Sequence, residues 1–256
     1  METIQSFLGQ LKQRNRLLYI NGFINLAFAL LMVILIFTDD REIKGINAWI
    51  KPLKFFLSVT ILSWTMGWIL SFLDSRRIVK IYTVILLVTM IIELAAICLQ
   101  SYRGTTSHFN VSTVFNGVVF AIMGIAILTF TFATAVICYL FFRQRSFNLP
   151  EKMIWSYRIA LLCFLLFSIE GGLMISFMKH TVGETDGGPG LPLLNWSLNA
   201  GDLRVAHFFG MHALQVIPLV GHFLATGKKQ VFIFSGLYLI WVIVLFIQAL
   251  NGIPFL

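Results

Sequence analysis

The chain reads as an all-α polytopic membrane protein, a bundle of seven transmembrane helices with its N-terminus in the cytoplasm. Three observations carry this. Hydrophobic residues fill 58% of the 256 positions, charged residues fill 12%, and mean hydropathy is +0.87. A soluble domain has about 45–50% apolar and about 25% charged residues. Apolar runs of about 20 residues recur, the length that crosses about 30 Å of hydrocarbon. None of these runs alternates over about 10 residues, as the strands of a membrane β-barrel would.

The spans are expected at about residues 17–37, 54–73, 82–101, 114–142, 154–178, 204–226 and 230–252. The first is too long for a signal-peptide core, and no small-x-small cleavage site precedes the charged Thr38-Asp-Asp-Arg41. Short basic connections separate the others on one side: Arg76, Arg77 and Lys80, then Arg143, Arg145, Lys152 and Arg158, then Lys228 and Lys229. The sixth span opens after Asp202, a side chain suited to accept the free N–H groups of a helix start. No internal repeat is evident, and residues 1–256 read as one transmembrane domain.

Counting Lys and Arg sets the orientation. The side holding the N-terminus, with Lys12, Arg14 and Arg16, and the three basic connections carries twelve; the other side carries seven. The richer side belongs in the cytoplasm, which puts the C-terminus outside. The expected location is the cytoplasmic membrane of a bacterium, with the lipid bilayer as first partner. The net charge of +8 is thus a topology signal and does not point to nucleic acid. Cys98, Cys138 and Cys163 lie in apolar runs with no CxxC pair, so they read as small hydrophobes. Trp49, Trp64, Trp68 and Trp196 fit an interfacial aromatic belt.

The outer connections are the unusual ones. The first, Gly45 to Lys54, holds Lys51 and Lys54; the second, Gln100 to Asn110, holds Arg103 and His108; the third runs from Lys179 to Arg204 and includes Asp186-Gly-Gly-Pro-Gly. Long loops with specific turn chemistry are more often functional than connective. The sixth span carries three of the five histidines, His207, His212 and His222. At about 100° per residue, His207, His212, Gln215 and His222 fall within a sector of about 140°, which should face protein and not lipid. Pro218 in the same run frees the carbonyl of Leu214. Glu93, Glu170 and His212 each lie about eight residues, roughly 12 Å, below the outer ends of their spans, so one layer could hold all three. Glu170-Gly-Gly also suits close helix packing.

Several chemistries are excluded. The last span has no Lys, so it cannot form a retinal Schiff base, and there is no HExxH, GxSxG, Walker loop or redox CxxC. The seven-span, N-terminus-inside plan is similar in architecture to the ceramidase-like zinc hydrolases and progestin-type receptors. Those families use an HxxxH pair in the last span; here His207-x4-His212 sits in the sixth and the seventh has none. The expectation is a polar pocket open to the extracytoplasmic face, in a haem- or quinone-linked redox protein. His108 with His207 or His212 would be axial ligands of haem b, and Lys51, Lys54, Arg103 and Arg204 would meet its carboxylates. Two alternatives stand beside it. One is a metal-dependent enzyme using Glu93, Glu170, His207 and His212 on Zn or Fe. The other is a transporter or sensor of a small external anion held by the basic groups. Oligomeric state is not legible.

Overall fold

The computed structural model describes residues 4–256. Among the described residues it is all-α apart from two short pairs of antiparallel strands, and seven helices are long and apolar enough to cross a membrane. The protein is therefore an integral membrane protein. The helices are α1 (Ile4–Arg14), α2 (Arg16–Thr38), α3 (Ile50–Ile69, extended by a tight turn Leu70–Phe72), α4 (Arg76–Tyr102), α5 (Val114–Arg143), α6 (Glu151–Phe177), α7 (Leu203–Phe223) and α8 (Lys228–Leu250). Helices α2 to α8 are the seven expected spans.

Two boundaries differ from expectation for physical reasons. Helix α3 starts at Ile50, so Lys51 and Lys54 are helical and not part of a loop. Pro52 is tolerated there because the first turn of a helix has no acceptor for its missing N–H. Helix α4 starts at Arg76, so the basic connection before it is mostly its first turns. Helix α1 was not expected at all. It is only 11 residues long, too short to cross a bilayer.

The chain forms two compact units, one up to Ile137 and the other Cys138–Leu256, with the division inside α5. In the first, α2 packs on α3 and α3 on α4. Asn15 caps α2, accepting from Leu18 N at 3.1 Å while its amide donates to Thr83 Oγ1 of α4 at 3.0 Å. Buried polar groups tie the same helices: Asn21 donates to Ser63 Oγ at 2.8 Å and Thr60 to Gly22 O at 3.2 Å. Tyr82, wholly buried, shares a hydrogen bond with Thr134 of α5 at 3.1 Å. Helix α1 lies against α3. Leu11 is fully buried, Phe7 stacks on Trp68, and the Arg14 guanidinium sits 3.9 Å above the Trp68 ring while donating to Ser71 Oγ at 2.8 Å.

In the second unit α6, α7 and α8 pack together, with glycines permitting close approach. A Cβ on Gly210 would fall 1.9 Å from the Phe167 ring, and one on Gly221 2.0 Å from Ser156 Oγ. The loop between α6 and α7 folds onto this unit. Its Trp196 is buried with Phe167, Val205, Ala206, Val242 and Leu245. Trp49 is buried too, donating from Nε1 to Asp39 at 2.8 Å. These two tryptophans are packed inside the protein. Cys138 and Cys163 are buried, Cys98 is half-buried, and all three are free thiols, as their apolar settings suggested.

Candidate functional site

Within the second unit the structure joins Glu170 of α6 to His207 of α7. His207 Nδ1 lies 2.8 Å from the Phe167 carbonyl oxygen and 3.0 Å from Glu170 Oε2. A carbonyl oxygen can only accept, so Nδ1 carries the hydrogen and donates to both oxygens. In the neutral ring Nε2 then holds the lone pair. Helix packing places the ring: a Cβ on Gly171 would come within 2.9 Å of His207 Cε1, so the small residue after Glu170 makes room for the imidazole. The first glycine of the Glu-Gly-Gly motif thus serves the expected close packing. Only one oxygen of Glu170 is satisfied. Glu170 Oε1 is buried and has no hydrogen-bond partner. Buried polar atoms are partnered in the great majority of cases, so this oxygen stands out.

His212 lies one and a half turns further along α7. Its Nδ1 meets Gln215 Oε1 at 3.1 Å, and its ring packs against Phe208 with centroids 4.3 Å apart. The expected polar face of α7 thus resolves into two local pairs, Glu170–His207 and His212–Gln215. His222 stacks edge-on against Phe223 near the other end of the helix. Arg204 is occupied by its neighbour. It donates to the buried Asp202 from Nε at 2.9 Å, and Asp202 also accepts the Arg204 backbone N–H at 3.0 Å, the capping bond foreseen for it.

Within the first unit Lys51 reaches His108, 57 positions away. Lys51 Nζ and Ser107 Oγ lie 3.1 and 3.0 Å from His108 Nδ1. An ammonium group only donates, so Nδ1 is the acceptor and the neutral ring carries its hydrogen on Nε2. That leaves His108 without the Nε2 lone pair that a haem ligand needs. Phe55, Phe109 and Phe120 surround its ring. Lys51 is also the cation whose charge reaches Glu93, a residue 3% exposed with Oε1 unpartnered. Arg103 caps the C-terminal end of α4, where a positive charge is favoured, and donates to Gln100 Oε1 and Asn116 Oδ1 at 2.6 and 2.7 Å. Lys54 has a protein partner as well.

The pair His180–Asp186 went unnoticed in the sequence. In the loop between α6 and α7, His180 Nδ1 lies 2.6 Å from Asp186 Oδ2. Burial alone would push the Asp186 carboxyl up. The hydrogen bond and charge of His180, its backbone N–H and the Thr181 hydroxyl outweigh this and hold it well below the usual carboxylate range. The available signal was a His and an Asp six residues apart, just before a Gly-rich turn. Outside the spans of the first unit, the Arg41 guanidinium and the Trp49 N–H hold the Asp39 carboxyl low in the same way.

Among the described residues no three His, Cys, Asp or Glu side chains converge to hold a metal ion. Comparison with known proteins finds no family model, no curated protein and no solved structure that matches the chain.

Proposed function

We propose that this is a membrane redox protein that engages a lipid-soluble group, a b-type haem or a quinone, through His207, with Glu170 as the carboxyl partner of that histidine. One observation supports this above the rest. His207 is anchored at Nδ1 by two acceptors, leaving Nε2 as the working nitrogen inside an apolar helix pair. Second acceptors of this kind fix tautomer and ring orientation in histidines that bind iron or exchange protons. The unpartnered Glu170 Oε1 beside it offers a place for a hydrogen-bonded proton. A metal-dependent enzyme would need a third ligand at His207, and a sensor of external anions would need cations not already engaged. Lys51, Arg103 and Arg204 all have protein partners.

The test is an absorption spectrum and an organic extract of protein purified in mild detergent from haem-replete, quinone-containing membranes. We expect a Soret band or a near-stoichiometric quinone. Either should be lost in His207→Ala and kept in His222→Ala. A wild-type protein that is both colourless and quinone-free would overturn the proposal.

A further inference from the structure

With Glu170 ionised, the open positions of the Glu170–His207 pair are both hydrogen-bond acceptors. His207 Nδ1–H is spent on Phe167 O and Glu170 Oε2, so Nε2 offers a lone pair. Glu170 Oε1 is a buried oxygen with no donor aimed at it. A ligand satisfying both must bring two donors. Leaving the buried Glu170 Oε1 unpaired costs more than a typical matched bond gains.

The surroundings say what else the ligand must be. The His207 side chain is 32% exposed, whereas that of Glu170 is 6% exposed. Leu166 and Leu173 lie four residues before and three after Glu170, so they flank it on the same side of α6. Both are exposed, as is Phe208 next to His207. Exposed apolar side chains thus lie beside both members of the pair on these two helices. An ion or sugar would have to leave water to reach it, but a ring carried in the hydrocarbon would not.

We propose that the pair binds the reduced form of a lipid-soluble quinone, a hydroquinone, whose two hydroxyls donate to His207 Nε2 and Glu170 Oε1. The oxidised quinone has two carbonyl acceptors and no donor, so it meets both positions with the wrong polarity. This rests on the redox reading above and narrows it to the quinone class and to one oxidation state. An anion without an O–H or N–H donor does not fit this position.

The experiment is an anaerobic titration of the full-length protein in detergent with three ligands of nearly equal ring size. These are a methyl-substituted naphthohydroquinone, the corresponding quinone, and the dimethyl ether of the hydroquinone, which has the same ring and no O–H. Binding is read by calorimetry. We expect the hydroquinone to bind at least about tenfold more tightly than either of the others, a difference of about 1.4 kcal/mol. Glu170→Gln should bring the three within about threefold of one another, with the far-ultraviolet spectrum unchanged. The comparison of ligands on wild-type protein stands even if that variant fails to fold. Quinone or ether binding as tightly as the hydroquinone would overturn the inference and leave a quinone-linked protein. A Soret band with no binding of the hydroquinone would overturn it and leave a haem protein. No ligand bound and no chromophore would overturn the redox reading itself.

Discussion

Asp186 and Asp202 do similar work at the two ends of the loop between α6 and α7. Asp186 accepts the backbone N–H groups of His180 and Thr181 at 3.0 and 3.1 Å and the Thr181 hydroxyl at 2.9 Å, besides pairing with the His180 ring. Asp202 accepts from Ser197 N at 2.8 Å and from Arg204. The role of Asp202 was legible, because an acid just before an apolar helical run is a cap signal. The role of Asp186 was not, because Gly-rich turn chemistry announces a turn but not which side chain closes it. Asp186→Asn should loosen the loop by about 1–3 kcal/mol, since it removes a charge-assisted bond and leaves donors unpaired. Limited proteolysis between Lys179 and Ala200 should then be faster than in wild type; equal rates would exclude a clasp. The pH dependence has a definite sign. The Asp186 carboxyl is held below its unfolded value near 3.9. Its contribution is therefore fully present above about pH 4 and is lost as pH falls through the lower folded value. Protection of the loop at pH 5 should equal that at pH 7 as far as this carboxyl is concerned, and decline only in stronger acid.

At the scale of helices, seven of eight were legible because an apolar run of bilayer length points to little besides a membrane span. Helix α1 was not. Its apolar side, built from Phe7, Leu8 and Leu11, is too short to stand out, and what orders it is a contact with α3 some 57 residues later. Helix pairing was equally hidden. The α6–α7 contact that creates the candidate site depends on where small residues fall. Gly210 receives the Phe167 ring and Gly171 receives His207, whereas nothing lies within 4 Å of a Cβ on Gly172. Membrane helices associate largely through such close packing. Gly210→Val should force Phe167 away and carry its carbonyl oxygen, the anchor of His207, with it. We expect lower thermal stability in detergent and weaker ligand binding at His207. Gly172→Ala should be neutral or stabilising by up to about 1 kcal/mol, because it only removes backbone freedom from a helix. Equal melting temperatures for Gly210→Val and wild type would contradict this packing.

At the scale of the whole chain, fold class and candidate residues came from local signals, but their partners did not. Glu170 and His207 are 37 positions apart and Lys51 and His108 are 57 apart, distances over which periodicity says nothing. Equal depth in separate spans suggested one layer of Glu93, Glu170 and His212. Within one unit Glu170 meets His207, and within the other Lys51 meets His108. Four of the seven basic residues expected outside are engaged in contacts of this kind. The seven oppose the orientation set by the other twelve. Arg41 is clasped to Asp39 and to the Tyr102 carbonyl, Lys51 to His108, Arg103 to two amides, and Arg204 to Asp202. These four hold the ends of helices and loops together. The inner set should then decide insertion, giving a cytoplasmic N-terminus and, after seven spans, an external C-terminus. Reporter fusions after Lys229 and after Leu256 should report opposite sides of the membrane. Converting Lys51 and Arg103 together to Gln should leave both reporters unchanged, although it removes two outer charges. Identical reporter activity at the two positions would defeat the seven-span arrangement, and a reversal in the double variant would mean that those two charges help to set the topology after all.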